Sequence, residues 1–177
     1  MTTLARMTLA TLLAVSVVGS TAFAQKTIGP DAGAKARGEV TSSAIYQRHA
    51  LDYSRMMYDS QQIQPTAPPA VLEKQTVTVK DNLTKSDEAL KAVKAAHSND
   101  PETVKLVDSI LKHHANTVAH CNMLMECCKK GDGPGKIADC CVDMHDELKA
   151  AKKEMDMLKK HLKIEELPVP TKQALKK

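Results

Sequence analysis

The segment HHANTVAHCNMLMECCKKGDGPGKIADCCVDMH, residues 113–145, holds all five cysteines of the 177-residue chain, four of its seven histidines and three of its nine methionines. Thiolate and thioether select soft ions, copper(I) above all, and imidazole is an accepted partner. Cys121 and Cys128 lie seven residues apart, two turns along one helical face, with Met125 four residues after the first. Cys141 and Met144 make a three-residue pair beyond the Gly-rich turn, and Cys127 and Cys140 complete the two CC doublets. A second, more exposed stripe, His113, His120, Met123 and Cys127, repeats the seven-residue interval and suits a point where metal enters. Zinc held by Cys121, Cys128, Cys141 and His145 is the alternative ion, although it would leave the methionines without a role.

Oxidation is the competing chemistry. Cys127 or Cys128 could cross the short turn to Cys140 or Cys141, closing a loop of about a dozen residues worth roughly 3 kcal/mol in the chain-entropy model. Five is odd, so one thiol, Cys121 by position, would be left over. A disulfide-clasped structural or interaction bundle without a metal role is therefore the second reading. The clasp leaves the surrounding methionines and histidines unexplained.

The compartment decides what cysteine can do. MTTLARMTLATLLAVSVVGSTAFAQ has one basic residue, Arg6, an apolar run from Leu9 to Val18, and small residues at Ala22 and Ala24. This pattern is a secretory signal over residues 1–24, cleaved near Ala24/Gln25, with a periplasmic or secreted product. Later in the chain no run of about 18 apolar residues occurs, so no membrane span is expected. Without Arg6 the formal charge goes from 25 − 21 = +4 to 24 − 21 = +3, carried by lysines scattered among acids. Nucleic-acid binding needs a clustered basic stripe, and none is present.

The elements that must position the sulfur groups follow from composition and punctuation. The chain has no Trp, and its one Phe lies in the signal, so Leu, Val, Ile, Ala, Met and three Tyr must build a helical core. Residues 25–38 are expected to be a flexible leader, 39–164 a bundle and 165–177 a flexible tail. Helices are predicted over 39–63, 70–97, 101–130 and 136–164, broken by Pro65, Pro68 and Pro69, by SNDPET and by GDGPG. Asp100 is the N-cap and Pro101 the first position of the third helix. Four similar helices on short connections predict an all-α, antiparallel up-down four-helix bundle.

At 100° per residue the third helix turns Val104, Val107, Ile110, Leu111, His114, Val118, Cys121, Met125 and Cys128 inward. The fourth turns in Ile137, Cys141, Met144, Leu148, Met155, Leu158 and Leu162, with His145 at the margin. The second contributes Leu72, Thr76, Val79, Leu83 and Leu90. The first is expected to face inward with Ile45, His49, Tyr53, Met56 and Ile63. Counted back from the turn, Met56, Cys121 and Met144 fall at one level, Met125, Cys128 and Cys141 a turn nearer the loop, and His49 and His114 deeper. Three helices thus aim soft ligands at one end of one core. His97 at a helix end and Met155 in the core need no metal role.

Catalysis is not expected. Glu-x-x-His pairs for a di-iron bundle, Cys-x-x-Cys-His for haem, Cys-x-x-Cys redox motifs, paired carboxylates and Gly-rich phosphate loops are all missing from the sequence.

The Cys121/Cys128 face followed by IADCC resembles the exported copper-storage proteins, four-helix bundles whose inward cysteines hold copper(I). HHANTVAHCNML is similar to the His-His-x-x-Ala-x-x-Met stretch of small secreted copper-tolerance proteins, with Thr117 and His120 in place of the Ala and Met. This chain has far fewer cysteines than a storage protein, and its doublets depart from that spacing, so a small site is expected. Both resemblances imply periplasmic copper handling, for buffering, sequestration or tolerance. Partners would be metal ions, a periplasmic metal-handling protein or a second copy of the chain.

Overall fold

The computed structural model describes residues 30–63 and 68–164. The expected signal over residues 1–24, residues 25–29 of the expected leader and the expected tail from residue 165 lie outside the described residues. Among those described, the chain forms four helices and no strand: α1 (Pro30–Ile63), α2 (Pro69–Ala96), α3 (Pro101–Lys130) and α4 (Pro134–His161). Each helix packs against its two neighbours in the order α1–α2–α3–α4–α1, and the backbones of the diagonal pairs stay apart across the shared core. The fold is a four-helix bundle, as the composition and punctuation predict. None of these helices is long and apolar enough to cross a membrane.

Cross-links between neighbours fix the directions. Lys80 Nζ to Asn122 Oδ1 (3.0 Å), Asp87 Oδ1 to His114 Nδ1 (2.6 Å) and Lys94 Nζ to Asp108 Oδ1 (2.6 Å) run α2 and α3 antiparallel. The Asp100–His161, His113–Glu147 and Cys121–Met144 contacts do the same for α3 and α4. Ser43 meets Ser86 between α1 and α2, and Ser54 meets His145 between α1 and α4.

The helix starts follow their chemistry. Pro stands at the first helical positions of α2, α3 and α4, where a missing N–H costs nothing. The Asp100 carboxylate accepts from the N–H groups of Glu102 and Thr103, as an N-cap should. α3 stops at Gly131, which takes φ 68°, and its N–H caps the Cys127 and Cys128 carbonyls. α1 begins at Pro30 rather than at Glu39, with Pro at the first position and Ala34, Lys35 and Ala36 favouring helix against the cost of Gly33 and Gly38.

Inward positions step by three and four residues along every helix. They are Ala36, Val40, Ser43, Gln47, Ala50, Ser54, Met57 and Gln61 on α1, and Leu72, Thr76, Val79, Leu83, Ser86, Leu90 and Val93 on α2. On α3 they are Thr103, Val107, Ile110, His114, Thr117, Cys121 and Leu124, and on α4 Cys141, Met144, Leu148, Ala151, Met155 and Leu158. This is the alternation that makes knobs fit holes in a bundle. It corrects the expected face of α1: Ile45, His49, Met56 and Ile63 are exposed, Met56 by 54%, while Met57 is sealed.

The core is two apolar clusters. One, toward the α3–α4 turn, includes Met57, Leu72, Val79, Leu83, Cys121, Leu124, Cys140, Cys141, Met144 and Leu148. The other contains Val40, Leu90, Val93, Val107, Ile110, Met155 and Leu158. Between them lie the buried polar groups Ser43, Gln47, Ser86, His114 and Thr117.

The N-cap of α3 yields a pH-resolved expectation. Partial burial alone would raise the Asp100 carboxyl, but hydrogen bonds from His161 and Thr103 overcome it and hold it at about 2. A folded value below the unfolded one, about 3.9, means stability present above about pH 4 and lost as pH falls toward 2. Asp100→Ala should lower unfolding free energy by about 1 kcal/mol at pH 7 in urea titrations. The difference from wild type should shrink between about pH 4 and 2.

Candidate metal centre

Cys121 sits on the inner face of α3 and Met144 on that of α4, both fully buried, with Sγ and Sδ 3.2 Å apart. The thiol is the donor and the thioether the acceptor. Cys141, one turn before Met144 on the same face, is also fully buried in the cluster that holds Met57. Cys128, two turns after Cys121, is half-buried at the flank toward α2, where the Glu73 carboxylate is felt. Met125 is likewise half-buried; Leu124 takes the inward place beside it. All five cysteines are free thiols.

Burial governs their acidity. It pushes the Cys121 thiol up to about 12, against an opposing pull from Lys80. Burial and then the charges that Cys140, Cys128 and Cys121 would carry push Cys141 up to about 12. Cys128 is raised by burial, then by Cys127 and Glu73. Cys140 is pushed up to about 11 by burial, by the charge and hydrogen bond of Cys127, and by Asp143 and Asp139. Cys121, Cys140 and Cys141 share one apolar cluster at the α3–α4 end of the bundle, with Cys127 and Cys128 packed against it.

A shallow cleft of about 300 Å³ runs along the outside of α3 and α4 at the same end. Cys127, Cys140 and Met123 line it, among Glu126, Asp132, Asp139, Asp143, Lys130 and Lys136. A neighbouring cleft is lined by His113, His120, Asp143, Asp146, Glu147 and Ala150. The predicted outer stripe is therefore real as a surface, but its histidines have acidic neighbours. His113 Nδ1 donates to Glu147 Oε2 at 2.6 Å, and His120 Nδ1 lies 3.6 Å from Asp143 Oδ2 without a hydrogen bond. The pair lowers the Glu147 carboxyl, burial working against hydrogen bonds from His113 and Asn116.

The remaining predicted ligands stand apart. His114 is fully buried, two turns from Cys121, and its Nδ1 donates to Asp87 Oδ1 at 2.6 Å; its Nε2 has no hydrogen-bond partner. His145 Nδ1 meets Ser54 Oγ at 3.1 Å beside Arg55, Tyr58 and Lys149, and burial followed by the Lys149 charge pushes the imidazole down. His49 and Met56 are exposed on the far side of α1 and do not reach the sulfur cluster. Sequence reasoning missed Met57, Ser54 and Asp87. The unbroken three-four spacing through Ala50, Ser54, Met57 and Gln61 marks the first two, and the Asp87–His114 ion pair had no sequence signal.

Among the described residues no group of three or more His, Cys, Asp and Glu side chains is arranged to hold a metal ion. A tetrahedral zinc site needs such a group. The sealed donors are instead thiols with a thioether, and thioether lies outside that set of four residue types. Comparison with protein-family models, with curated proteins and with solved structures finds no match.

Thiol chemistry should separate the cysteines. In native protein at pH 8, alkylation should reach half-buried Cys127 first. Cys121 and Cys141 should react only after unfolding, because they are sealed and remain protonated. Time-resolved peptide mapping checks the order; early labelling of Cys121 would contradict the placement.

Proposed function

We propose that this chain binds copper(I) through sulfur at the α3–α4 end of the bundle, to buffer or sequester it outside the cytoplasm. The observation that carries the reading is the buried thiol–thioether contact between Cys121 and Met144, with Cys141 on the same inner face. Thiolate and thioether together discriminate for copper(I) over harder ions. Metal–sulfur bonds near 2.3 Å let two sulfurs on one ion stand up to about 4.6 Å apart. The 3.2 Å pair must therefore open by up to about 1.4 Å, within the reach of a Met side chain with three rotatable bonds.

Cys121 and Cys141 would supply thiolates and Met144 a thioether, with Cys128 or Met57 completing the set. His145 and His114, tied to Ser54 and Asp87, would at most flank it. Storage-scale loading is not implied by five thiols. The chain would act by binding rather than by catalysis, and a metal-handling partner outside the cytoplasm would receive or supply the ion. The reading without metal treats the same sulfurs as core filler, a common use of methionine. It does not account for three sealed sulfur groups from two helices meeting in one layer.

Protonated thiols fix the sign of the pH dependence. Each thiolate ligand formed releases one proton, so affinity must rise with pH. Anaerobic titration of reduced protein against a chromophoric copper(I) chelator should show stoichiometric binding. After correction for the chelator, the apparent Kd should fall about 100-fold per pH unit between pH 6 and 8 if two thiols ligate. Cys121→Ser and Met144→Leu should each weaken binding by ~10–100-fold or more, the range that loss of even an outer-shell partner produces. Failure to compete with the chelator, or unchanged affinity in Cys121→Ser, would end the reading.

A further inference from the structure

We propose that Cys127 and Cys140 are a redox pair, which an organic or protein disulfide closes into a single disulfide across the α3–α4 turn while Cys121, Cys128 and Cys141 stay reduced. Helices α3 and α4 place these two thiols, and not their doublet neighbours, in the lining of one cleft. The turn between them is held. Gly131 is left-handed, the Asp132 N–H bonds the Cys127 carbonyl at 3.0 Å, and Pro134 starts α4 three residues later. Closing residues 128–139 into a loop therefore orders little that is not already ordered.

The cleft, rather than exposure, separates the five thiols, because Cys140 is buried at 5% exposure while Cys128 is half-buried. Cys127 and Cys140 share the outer cleft with Met123, which is 47% exposed. Cys121 and Cys141 are sealed, and Cys128 lies on the other side of α3, toward Glu73 of α2. Of the outer pair, Cys127 is the more accessible and Cys140 the more buried. Cys127 is thus the attacking thiol and Cys140 the resolving one.

The exchange balances without further reagents. The Cys127 thiolate attacks one sulfur of the donor disulfide, forming a mixed disulfide and releasing one donor thiolate, which takes up a proton. Cys140 loses its proton and attacks Cys127 Sγ, releasing the second donor thiol. Two protein thiols are oxidised by two electrons and one donor disulfide is reduced by two. Four carboxylates, Glu126, Asp132, Asp139 and Asp143, outnumber Lys130 and Lys136 around the cleft, so a cationic donor is favoured over an anionic one.

The assignment concerns the metal-free protein and holds whether or not copper(I) binds, so its test is separate from the titration above. Reduced full-length protein is treated with cystamine under native conditions. Remaining thiols are then alkylated, and intact mass and fragment spectra are recorded. The expected product carries one internal Cys127–Cys140 disulfide and three alkylated cysteines. Cys140→Ser should instead accumulate one cysteamine adduct on Cys127, and Cys128→Ser should still close the disulfide at the wild-type rate. Circular dichroism confirms that each variant is helical, and the wild-type map stands alone if one is not. A disulfide between any other pair, a disulfide-linked dimer as the main product, or five reduced thiols after exposure would overturn the proposal.

Discussion

Everything in this bundle depends on the alternation of three- and four-residue steps between inward positions, kept without a break along the four helices. That spacing obliges each helix to present one narrow seam to its neighbours and nothing else. Burial of each Leu, Val or Met on the seam contributes about 1.5–3 kcal/mol. The rest of each helix is left free for lysines and acids. Because Cys121 on α3 and Cys141 and Met144 on α4 occupy seam positions, their sulfurs are core atoms. The 3.2 Å contact between Cys121 and Met144 is a packing contact whose chemistry is unusually soft.

The seam is not apolar throughout. Ser43, Gln47, Ser86, His114 and Thr117 interrupt it midway and divide the core in two. Burying such groups is costly unless they find partners, and most do. Ser43 and Ser86 lie 2.7 Å apart, Thr117 donates to the His113 carbonyl, and Asp87 takes the His114 Nδ1–H. Those partnerships exist in one register only. A slip of one heptad between α1 and α2 would leave Ser43 facing a valine and Ser86 an alanine, so the polar layer penalises misalignment more than it stabilises the correct fold. The apolar cluster beyond it, around Leu90, Ile110 and Leu158, contains no cysteine. The sulfur end can therefore change chemistry without touching the half that holds the bundle together.

How much of this is legible in sequence differs from helix to helix. For α4 the seam is made of apolar and sulfur side chains, so hydrophobicity and spacing agree, whereas on α3 Thr103, Thr117 and Leu124 hold seam places where Val104, Val118 and Met125 are expected. The cap at Asp100–Pro101, the Gly131 stop and the meeting of Cys121 with Met144 can all be read from letters. For α1 the two signals conflict. Its seam is Ala, Val, Ser, Gln, Ala, Ser, Met, Gln, whereas Ile45, Met56 and Ile63 lie exposed on other faces. Choosing the larger side chains rotates the helix by about one residue, 100°, and puts Met56 and His49 where Met57 and Ala50 belong. Spacing outranks hydrophobicity here because Ala and Ser let α1 approach its neighbours closely. The Asp87 partner of His114 comes from another helix, and no local pattern encodes it.

The two CC doublets follow from the same geometry. Neighbouring residues on a helix point 100° apart, so a doublet cannot aim both thiols at one place. On α4, Cys141 takes the seam and Cys140 turns toward α3. On α3, Cys128 holds the seam-side flank and Cys127 turns toward α4. The outward members then face each other across the outer groove, and the inward members join Cys121, one heptad before Cys128. An odd count is the natural result, two thiols in the groove and three toward the core. Desolvation acts on these sets differently. Cys121 and Cys141, with thiols pushed up to about 12, are poor nucleophiles and keep their protons. Of the groove pair, Cys127 is half-buried and within reach of reagents, while Cys140 lies behind it at 5% exposure. A doublet at each end of a helical turn is thus a way to place reactive and protected sulfur within one turn of each other.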